Sequence, residues 1–574
     1  MNTLAMLIRK ITFLAIFILS GFSWSVSAAP RIPDSLTQNG LIYCTSATGF
    51  SFNPQSADAG TSMNVITEQI YSKLFEIKNN SAVVTPSLAE SYTLSADGKK
   101  IILHLRRGVK FHHTAWFTPS RNFNADDVVF SLNRVLGHNT SLPEFAMLEN
   151  QISSTDKQRK IFHELAKKTR FPYFESIKLN QKIESVQALD PYTVQINLFM
   201  PDASILSHLA SQYAIIFSQE YALQLNADDN LVQLDLLPVG TGPYQVKDYF
   251  RNQYVRLERN DNYWRKEAKI KNIIIDLSAD RIGRLAKFFN GECQIAAFPD
   301  VSQLGLLKNH GEHFQTLQTE GMNLAFLAFN IKRPEMQKVE YRRAIAQAIN
   351  RHRIIKDIYY QTASVANAII PSVSWAATTG DGSQNFAYDY DPEAAKAFFK
   401  DKNLSLNIWV INEEQVFNPS PIKTAELIKF DLTNAGVKAQ VRLISRNFLT
   451  EQLRNDSADY DLILSGWLAG NLDPDSFMRP ILSCSSASEI TNLANWCSPS
   501  FDHLLDHALT TTDTRLRAID YNLAQKIVLS ELPLLPIASV KRVLVSSTQV
   551  QGVDMTPFGN INFEKLSFRK GQKQ

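Results

Sequence analysis

Between Trp467 and Asp475 the chain reads Trp-Leu-Ala-Gly-Asn-Leu-Asp-Pro-Asp, which puts an indole, an amide and two carboxylates into one short stretch. A second such group is Trp409 with Ile411-Asn-Glu-Glu-Gln415 after it. Aromatic walls with a few hydrogen-bonding groups are what a small-ligand cleft requires, so this is binding chemistry. Trp409, Asn412, Gln415, Trp467, Ala469, Gly470, Asn471 and Asp473 are therefore candidate ligand-binding residues, and Thr61 and Met63 join them from the opposite half of the chain. The competing explanation is that both tryptophans are core and the polar residues are turn formers. Catalytic signatures do not accompany these groups. Gly291-Glu-Cys293 is no nucleophile elbow, and neither GxxxxGK[ST] nor HExxH occurs. His112 and His113 are neighbours on an extended segment and point to opposite faces, so one packed and one exposed histidine is expected, not a metal pair. Asp126 and Asp127 fall in the first turn of a helix, where capping and the helix dipole account for them. No catalytic, metal or cofactor site is expected.

The elements that must hold the candidate residues are legible from periodicity. Residues 404–410 form an apolar-rich strand. Pro421 opens a helix that carries Ile422, Leu427, Ile428 and Leu432 and stops at Gly436. Residues 437–444 alternate as a second strand, a short helix covers about 448–453, and 460–467 is a third strand. This βαβαβ order predicts a mostly parallel sheet, and Trp409 and Trp467 then stand near the carboxyl edge, where open α/β sheets place ligands. Earlier, 41–44 reads as a buried strand, and Met63, Ile66, Ile70 and Leu74 recur at helical spacing. Residues 100–106 and 193–199 alternate as half-buried strands, and Asn124 caps a helix. Residues 139–189 are weakly patterned and read as an insertion or small subdomain. Leu516, Ile519, Leu523 and Ile527 give spacings of a helix with one apolar face. The apolar runs 322–329 and 534–538 are the candidate crossings between two lobes, and 371–390 reads as a long surface connection.

Residues 1–28 read as a cleaved secretory leader: Arg9 and Lys10, an apolar stretch, then Val26-Ser-Ala28 before the expected cut. The 59 basic residues fall to 57 without Arg9 and Lys10, against 56 acidic ones, a balance that argues against nucleic acid as partner. About 545 residues remain, enough for two or more domains. Four cysteines in an exported chain allow three pairings. The short spacing of Cys484 and Cys497 favours a local bridge, which leaves Cys44 with Cys293.

Leu88-Ala-Glu-Ser-Tyr92, Asp97-Gly-Lys99, Leu105-Arg-Arg-Gly-Val-Lys-Phe-His112, Asn124-Ala-Asp-Asp-Val-Val-Phe-Ser131, Gly240-Thr-Gly-Pro-Tyr244, Arg259-Asn-Asp-Asn-Tyr-Trp264 and Tyr388-Asp-Tyr-Asp-Pro-Glu-Ala-Ala-Lys396 span nearly the whole chain. In these segments it resembles the periplasmic peptide-, nickel- and oligosaccharide-binding family that feeds ABC transporters, solute-binding protein family 5. The resemblance implies an α/β, two-lobed, hinged periplasmic binding protein fold (class II, Venus-flytrap) with an extra subdomain in the first lobe. The expected boundaries are lobe I over 29–320 with the subdomain at about 80–205, lobe II over 321–536, and a return to lobe I over 537–574. It also implies the same two disulfides, a monomer in the periplasm, and as partners a peptide-like ligand and an inner-membrane permease. Related transporters point to antimicrobial peptides, with haem or another non-peptide solute as an alternative and a chaperone-like or structural role as a third. In the dipeptide-binding pattern an aspartate three residues after the tryptophan matching Trp467 holds the ligand's ammonium, and an arginine matching Gln415 holds its carboxylate. Here the first position is Gly470, so both charge anchors are expected to be missing and a short free peptide is disfavoured.

Overall fold

A single 14-residue strand, Leu534–Ser547, belongs to both halves of the molecule. In the computed structural model, which describes residues 40–46, 52–56, 61–77, 83–137, 169–227, 231–310, 312–377, 388–488 and 491–569, its first half pairs with Asn323–Phe329 and its second with Phe314–Glu320 and Ile295–Ala297. The leader, its cleavage site and residues 139–168 of the weakly patterned stretch lie outside the described residues.

In chain order, the strands of the two larger sheets are β1 (Leu41–Cys44), β2 (Ala89–Leu94), β3 (Lys100–Leu105), β4 (Ile183–Asp190), β5 (Thr193–Leu198), β6 (Tyr244–Phe250), β7 (Tyr254–Arg259) and β8 (Asn272–Asp276). They continue with β9 (Ile295–Ala297), β10 (Phe314–Glu320), β11 (Asn323–Phe329), β12 (Ala363–Val365), β13 (Ser405–Ile411), β14 (Lys438–Ile444), β15 (Leu462–Leu468) and β16 (Leu534–Ser547). The main sheet runs β14-β13-β15-β11-β16-β9-β1-β8-β7-β6, with β10 and β12 also on β16. β13 is parallel to β14 and β15, and β1 is parallel to β8 and β9, so each half holds a parallel core. A separate antiparallel sheet, β2-β3-β5-β4, forms a subdomain on the first half.

Alternation explains the layering. Along β11, Ala325, Leu327 and Phe329 enter one core while Leu324, Phe326 and Ala328 enter the core on the other face. Leu41 and Tyr43 of β1 part from Ile42 and Cys44 in the same way. Both faces of each sheet are thus covered, which is why these strands read as continuous apolar runs. The disulfides join Cys44 to Cys293 and Cys484 to Cys497. The first ties the end of β1 to the second residue before β9.

Asn124 caps the helix Ala125–Leu136 with a full capping box to Asp127. His112 is buried: its Nε2 lies 2.9 Å from the Gly242 carbonyl, and its Nδ1 accepts from the Gly240 N–H at 3.3 Å. His113 is exposed beside Thr118. One helix is turned against its apolar spacing. In Thr514–Glu531, Leu516, Ile519 and Leu523 face solvent while Arg517, Asp520, Tyr521 and Gln525 are buried. Specific polar partners outweigh the apolar stripe here: Arg517 pairs with Asp473, and Gln525 accepts from the N–H groups of Ile369 and Ile370.

Candidate ligand cleft

The chain passes between the lobes at Gly321-Met322 and again at Ser539-Val540. Asn323 locks the two passes side by side, donating to the Val540 carbonyl at 2.8 Å and accepting from its N–H at 3.1 Å. A Cβ on Gly321 would come within 2.6 Å of that carbonyl, so the crossing requires glycine. The parallel strands β13 and β15 end at residues 411 and 468, and β1 and β9 end at 44 and 297. The strand registers bring all four carboxyl edges toward this crossing. The cleft of an α/β sheet protein belongs at such an edge.

Ala469 fastens the loop after β15 to the crossing, its N–H donating to the Met322 carbonyl at 3.1 Å. Gly470 then meets the other lobe. A Cβ there would lie 2.7 Å from Tyr213 Cε2 and 3.0 Å from Tyr173 Cε2. Those two rings stack at 4.4 Å. Asn471 Oδ1 accepts from the Asp473 N–H and the Ser476 hydroxyl, so its amide nitrogen faces the first lobe, 3.2 Å from both Tyr173 Oη and His208 Nδ1. Because Asn471 only donates there, Nδ1 of His208 is the acceptor, and the neutral ring carries its proton on Nε2. Nε2 has no partner. Burial, and then the Lys182 ammonium, hold the His208 pKa down to about 4.

Beside this contact stands a buried ionic cluster. Lys182, on the first lobe, lies 3.5 Å from Asp475 on the second and also pairs with Asp202. Arg479 closes on Asp475 at 2.8 Å. At the far side, Arg281 of the first lobe reaches Glu414 at 3.0 Å and the Pro419 carbonyl at 3.2 Å. The two lobes are therefore in contact around the edge residues.

The structure separates the candidate residues into groups. Gly470 and Asn471 stand at the meeting of the lobes. Trp467 is half-buried and donates to the Ser476 carbonyl at 3.2 Å, and Ala469 is fixed to the crossing. Asp473 is wholly engaged by Arg517 at 2.9 Å, which makes it a support of the loop. Trp409 is fully enclosed by Phe448, Tyr460 and the Arg442 guanidinium. It lies on the same sheet face as Trp467 but beside Ile463, four residues short of it, so it does not join Trp467 at the edge. Gln415 accepts from Arg446 at 3.1 Å, and Asn412 is exposed. Thr61 and Met63 lie in the helix Thr61–Ile70, and their side chains are outside the described residues. Tyr173, His208 and Tyr213 carried no sequence signal. Tyr173 and His208 sit on helices of five residues, too short to show a period.

Among the described residues no group of acids, histidines and cysteines is arranged to hold a metal ion, and no helix is long and apolar enough to cross a membrane. Residues 83–489 match the model of the bacterial extracellular solute-binding proteins, family 5 (middle). The chain is 63% identical over 564 residues to the peptide transport periplasmic protein SapA of Haemophilus influenzae, covering 98% of this chain and 99% of that one. It is 32% identical over 545 residues to the heme-binding protein A of the same species, covering 94% of each. Its fold matches the crystal structure of a dipeptide-binding protein from Pseudoalteromonas in complex with Met-Leu, with a TM-score of 0.77, 32% identity, and 92% and 100% of the two chains covered.

Proposed function

The chain belongs to the bacterial extracellular solute-binding proteins of family 5, and on that premise we propose that it works in the periplasm, delivering a peptide-like ligand to an ABC transporter. Members of this family capture solutes and do not transform them. The lobes meeting at the sheet edges, on a two-strand crossing, support capture by closure.

The observation that carries the finer reading is at Gly470. An aspartate there would supply a counter-charge to a ligand ammonium, but the space a side chain would need is filled by Tyr213 and Tyr173. A free ammonium buried against these rings would be uncompensated. The preferred ligand is thus peptide-like but brings no free amino terminus to this point. Longer peptides that pass the site, antimicrobial peptides included, meet that condition, while free dipeptides do not. Mass analysis of material that co-purifies with unheated protein, followed by calorimetry with dialanine and with N-acetylated tripeptides, tests it. Submicromolar binding of dialanine that is lost on N-acetylation would overturn it.

A second reading, haem capture, has one observation in its favour. The stretch 467–475 contains no axial ligand, but the fold brings His208 against it with Nε2 unpartnered; iron binding there requires the proton to stand on Nδ1, where the Tyr173 oxygen at 3.0 Å can accept it. A Soret shift on adding hemin that disappears in His208→Ala would support it.

A further inference from the structure

The first lobe carries an uncompensated positive charge at the sheet edge. Arg542 lies in β16 opposite Thr319 and two residues before Leu544, which pairs antiparallel with Ala297 at the end of β9. That register puts it at the carboxyl edge of the parallel strands, beside the crossing. It is 2% exposed. Its guanidinium rests on the Phe298 ring at 4.4 Å, and neither Nε nor Nη2 has a hydrogen-bond partner. No acid among the described residues forms an ion pair with it. Arg284, equally buried, donates to the carbonyls of Phe298 at 3.0 Å and Ala279 at 3.4 Å, has no acid bonded to it, and leaves Nε free. The Tyr43 hydroxyl, whose nearest charges are these two arginines, is also unpartnered, as are Gln212 Nε2 and Asn560 Oδ1. Burial holds the Arg542 pKa down to about 10, as expected for a cation without a counter-charge.

Buried polar groups in native proteins are almost always bonded, and a cluster of unsatisfied ones calls for a ligand or water. Its composition decides which. The free groups are N–H donors on two guanidinium ions, an amide N–H and a hydroxyl, against one amide oxygen. Water offers as many acceptors as donors and leaves the Arg542 charge uncompensated, whereas an anion answers the donors and the charge together. The unoccupied atoms of Arg542, Nε and Nη2, form one edge of the guanidinium, the two-donor fork that matches a carboxylate. Gly559 packs beside that edge, where a side chain would press on it. Its φ of +88° suits glycine, and a Cβ would come within 2.2 Å of Nη2 and 2.6 Å of Nε.

We propose that Arg542, with Arg284 and Tyr43, forms the site that takes the carboxylate of the bound ligand. This rests on the solute-binding reading above and deepens it: the ligand is anionic at one end and uncharged at the end nearest Gly470. The carboxylate anchor absent at Gln415 is supplied from the other lobe.

The test uses the full mature protein stripped of bound material, with N-acetyl-trialanine as probe beside its C-terminal amide. The free acid should bind at least tenfold more tightly than the amide, and Arg542→Gln should abolish that difference. Without ligand, Arg542→Gln should melt no lower than the parent, because it removes an uncompensated buried charge; a lower melting temperature with the acid preference intact would assign Arg542 a structural role and overturn the proposal. If the variant does not fold, the acid-to-amide ratio of the parent decides. Equal binding of the two leaves peptide capture standing and overturns the carboxylate site. If neither peptide binds but acetate or phosphate raises the parent's melting temperature and not that of Arg542→Gln, the anion site stands, the ligand is not peptide-like, and comparing the two ions separates carboxylate from phosphate chemistry. No response to any of the four overturns the proposal.

Discussion

Asn471 of one lobe places its amide nitrogen 3.2 Å from Nδ1 of His208 in the other, and the contact is fully buried. Its orientation is not free: Oδ1 is held by the Asp473 N–H and the Ser476 hydroxyl, so the loop itself aims the donor. Closure thereby selects the neutral form of His208, since a doubly protonated ring would present a donor to a donor.

Asn471→Ala removes this bridge and leaves Tyr173 and His208 without their donor from the second lobe. His208 Nδ1 keeps the Tyr173 hydroxyl at 3.0 Å, so the loss is that of two interlobe hydrogen bonds, about 0.5–1.5 kcal/mol each, enough to shift the population toward open forms. Solution scattering should show a larger radius of gyration for ligand-free Asn471→Ala than for the parent. Identical profiles would mean that the bridge does not contribute to closure.

Stability should fall on acidification in a defined window. His208 and His112 are both held at about 4 from an ordinary value of 6.5, chiefly by burial. A histidine lowered in the fold binds its proton first in the unfolded chain, so its contribution is fully present above pH 6.5 and is lost as pH falls toward 4. At about 1.36 kcal/mol per pH unit, each accounts for roughly 3 kcal/mol across the window. Thermal denaturation from pH 7 to 4 should show that slope, and His208→Gln should reduce it by about half.

Asp475 is the second interlobe tie. Burial pushes its carboxyl up, but Arg479 and Lys182 outweigh that and hold it below the usual carboxylate range. Asp475→Ala would take one of two acidic partners from Lys182, which keeps Asp202, and from Arg479, which keeps Asp506, at a cost of about 1.5–3 kcal/mol. Because the pair is shielded from solvent, 0.5 M salt should change the loss little. A salt-sensitive loss below about 1 kcal/mol would show that the cluster is open to water.

Much of the frame was legible in the sequence because it rests on local rules. The βαβαβ unit over 405–468, the Asn124 cap and the apolar crossings all follow from period, capping or turn chemistry. What escaped depends on register and on distant chain. Trp409 and Trp467 both stand near strand ends and on the same sheet face, but the register sets Trp409 beside Ile463, four residues short of Trp467, where Phe448 and Tyr460 enclose it. Lys541-Arg542 reads as an ordinary charged pair, and only the pairing of β16 with β10 and β9 buries the arginine. The stripe of Leu516, Ile519 and Leu523 reads as a core face, and the Arg517–Asp473 pair turns it outward.

The last prediction concerns Gly470 and Tyr213. Restoring an aspartate at Gly470 alone should not create a dipeptide binder, since its Cβ would press on Tyr213 at 2.7 Å and hold the lobes apart. Gly470→Asp should therefore weaken every ligand by blocking closure. Gly470→Asp combined with Tyr213→Ala removes the nearer ring, gives Tyr173 at 3.0 Å room to yield, and places a carboxylate where a ligand ammonium would lie. A hydrogen bond to a charged group contributes about 1.5–3 kcal/mol, and tenfold in affinity corresponds to about 1.4 kcal/mol. The double variant should thus bind free trialanine ten- to hundredfold more tightly than N-acetyl-trialanine, a preference the parent lacks. Tyr213→Ala alone separates the effects: it makes room without adding charge and should show no preference for the free amino end. If the double variant shows none either, while still closing by scattering, the ligand's amino end does not lie against Gly470, and the tyrosine pair has a purely structural place in the lobe contact.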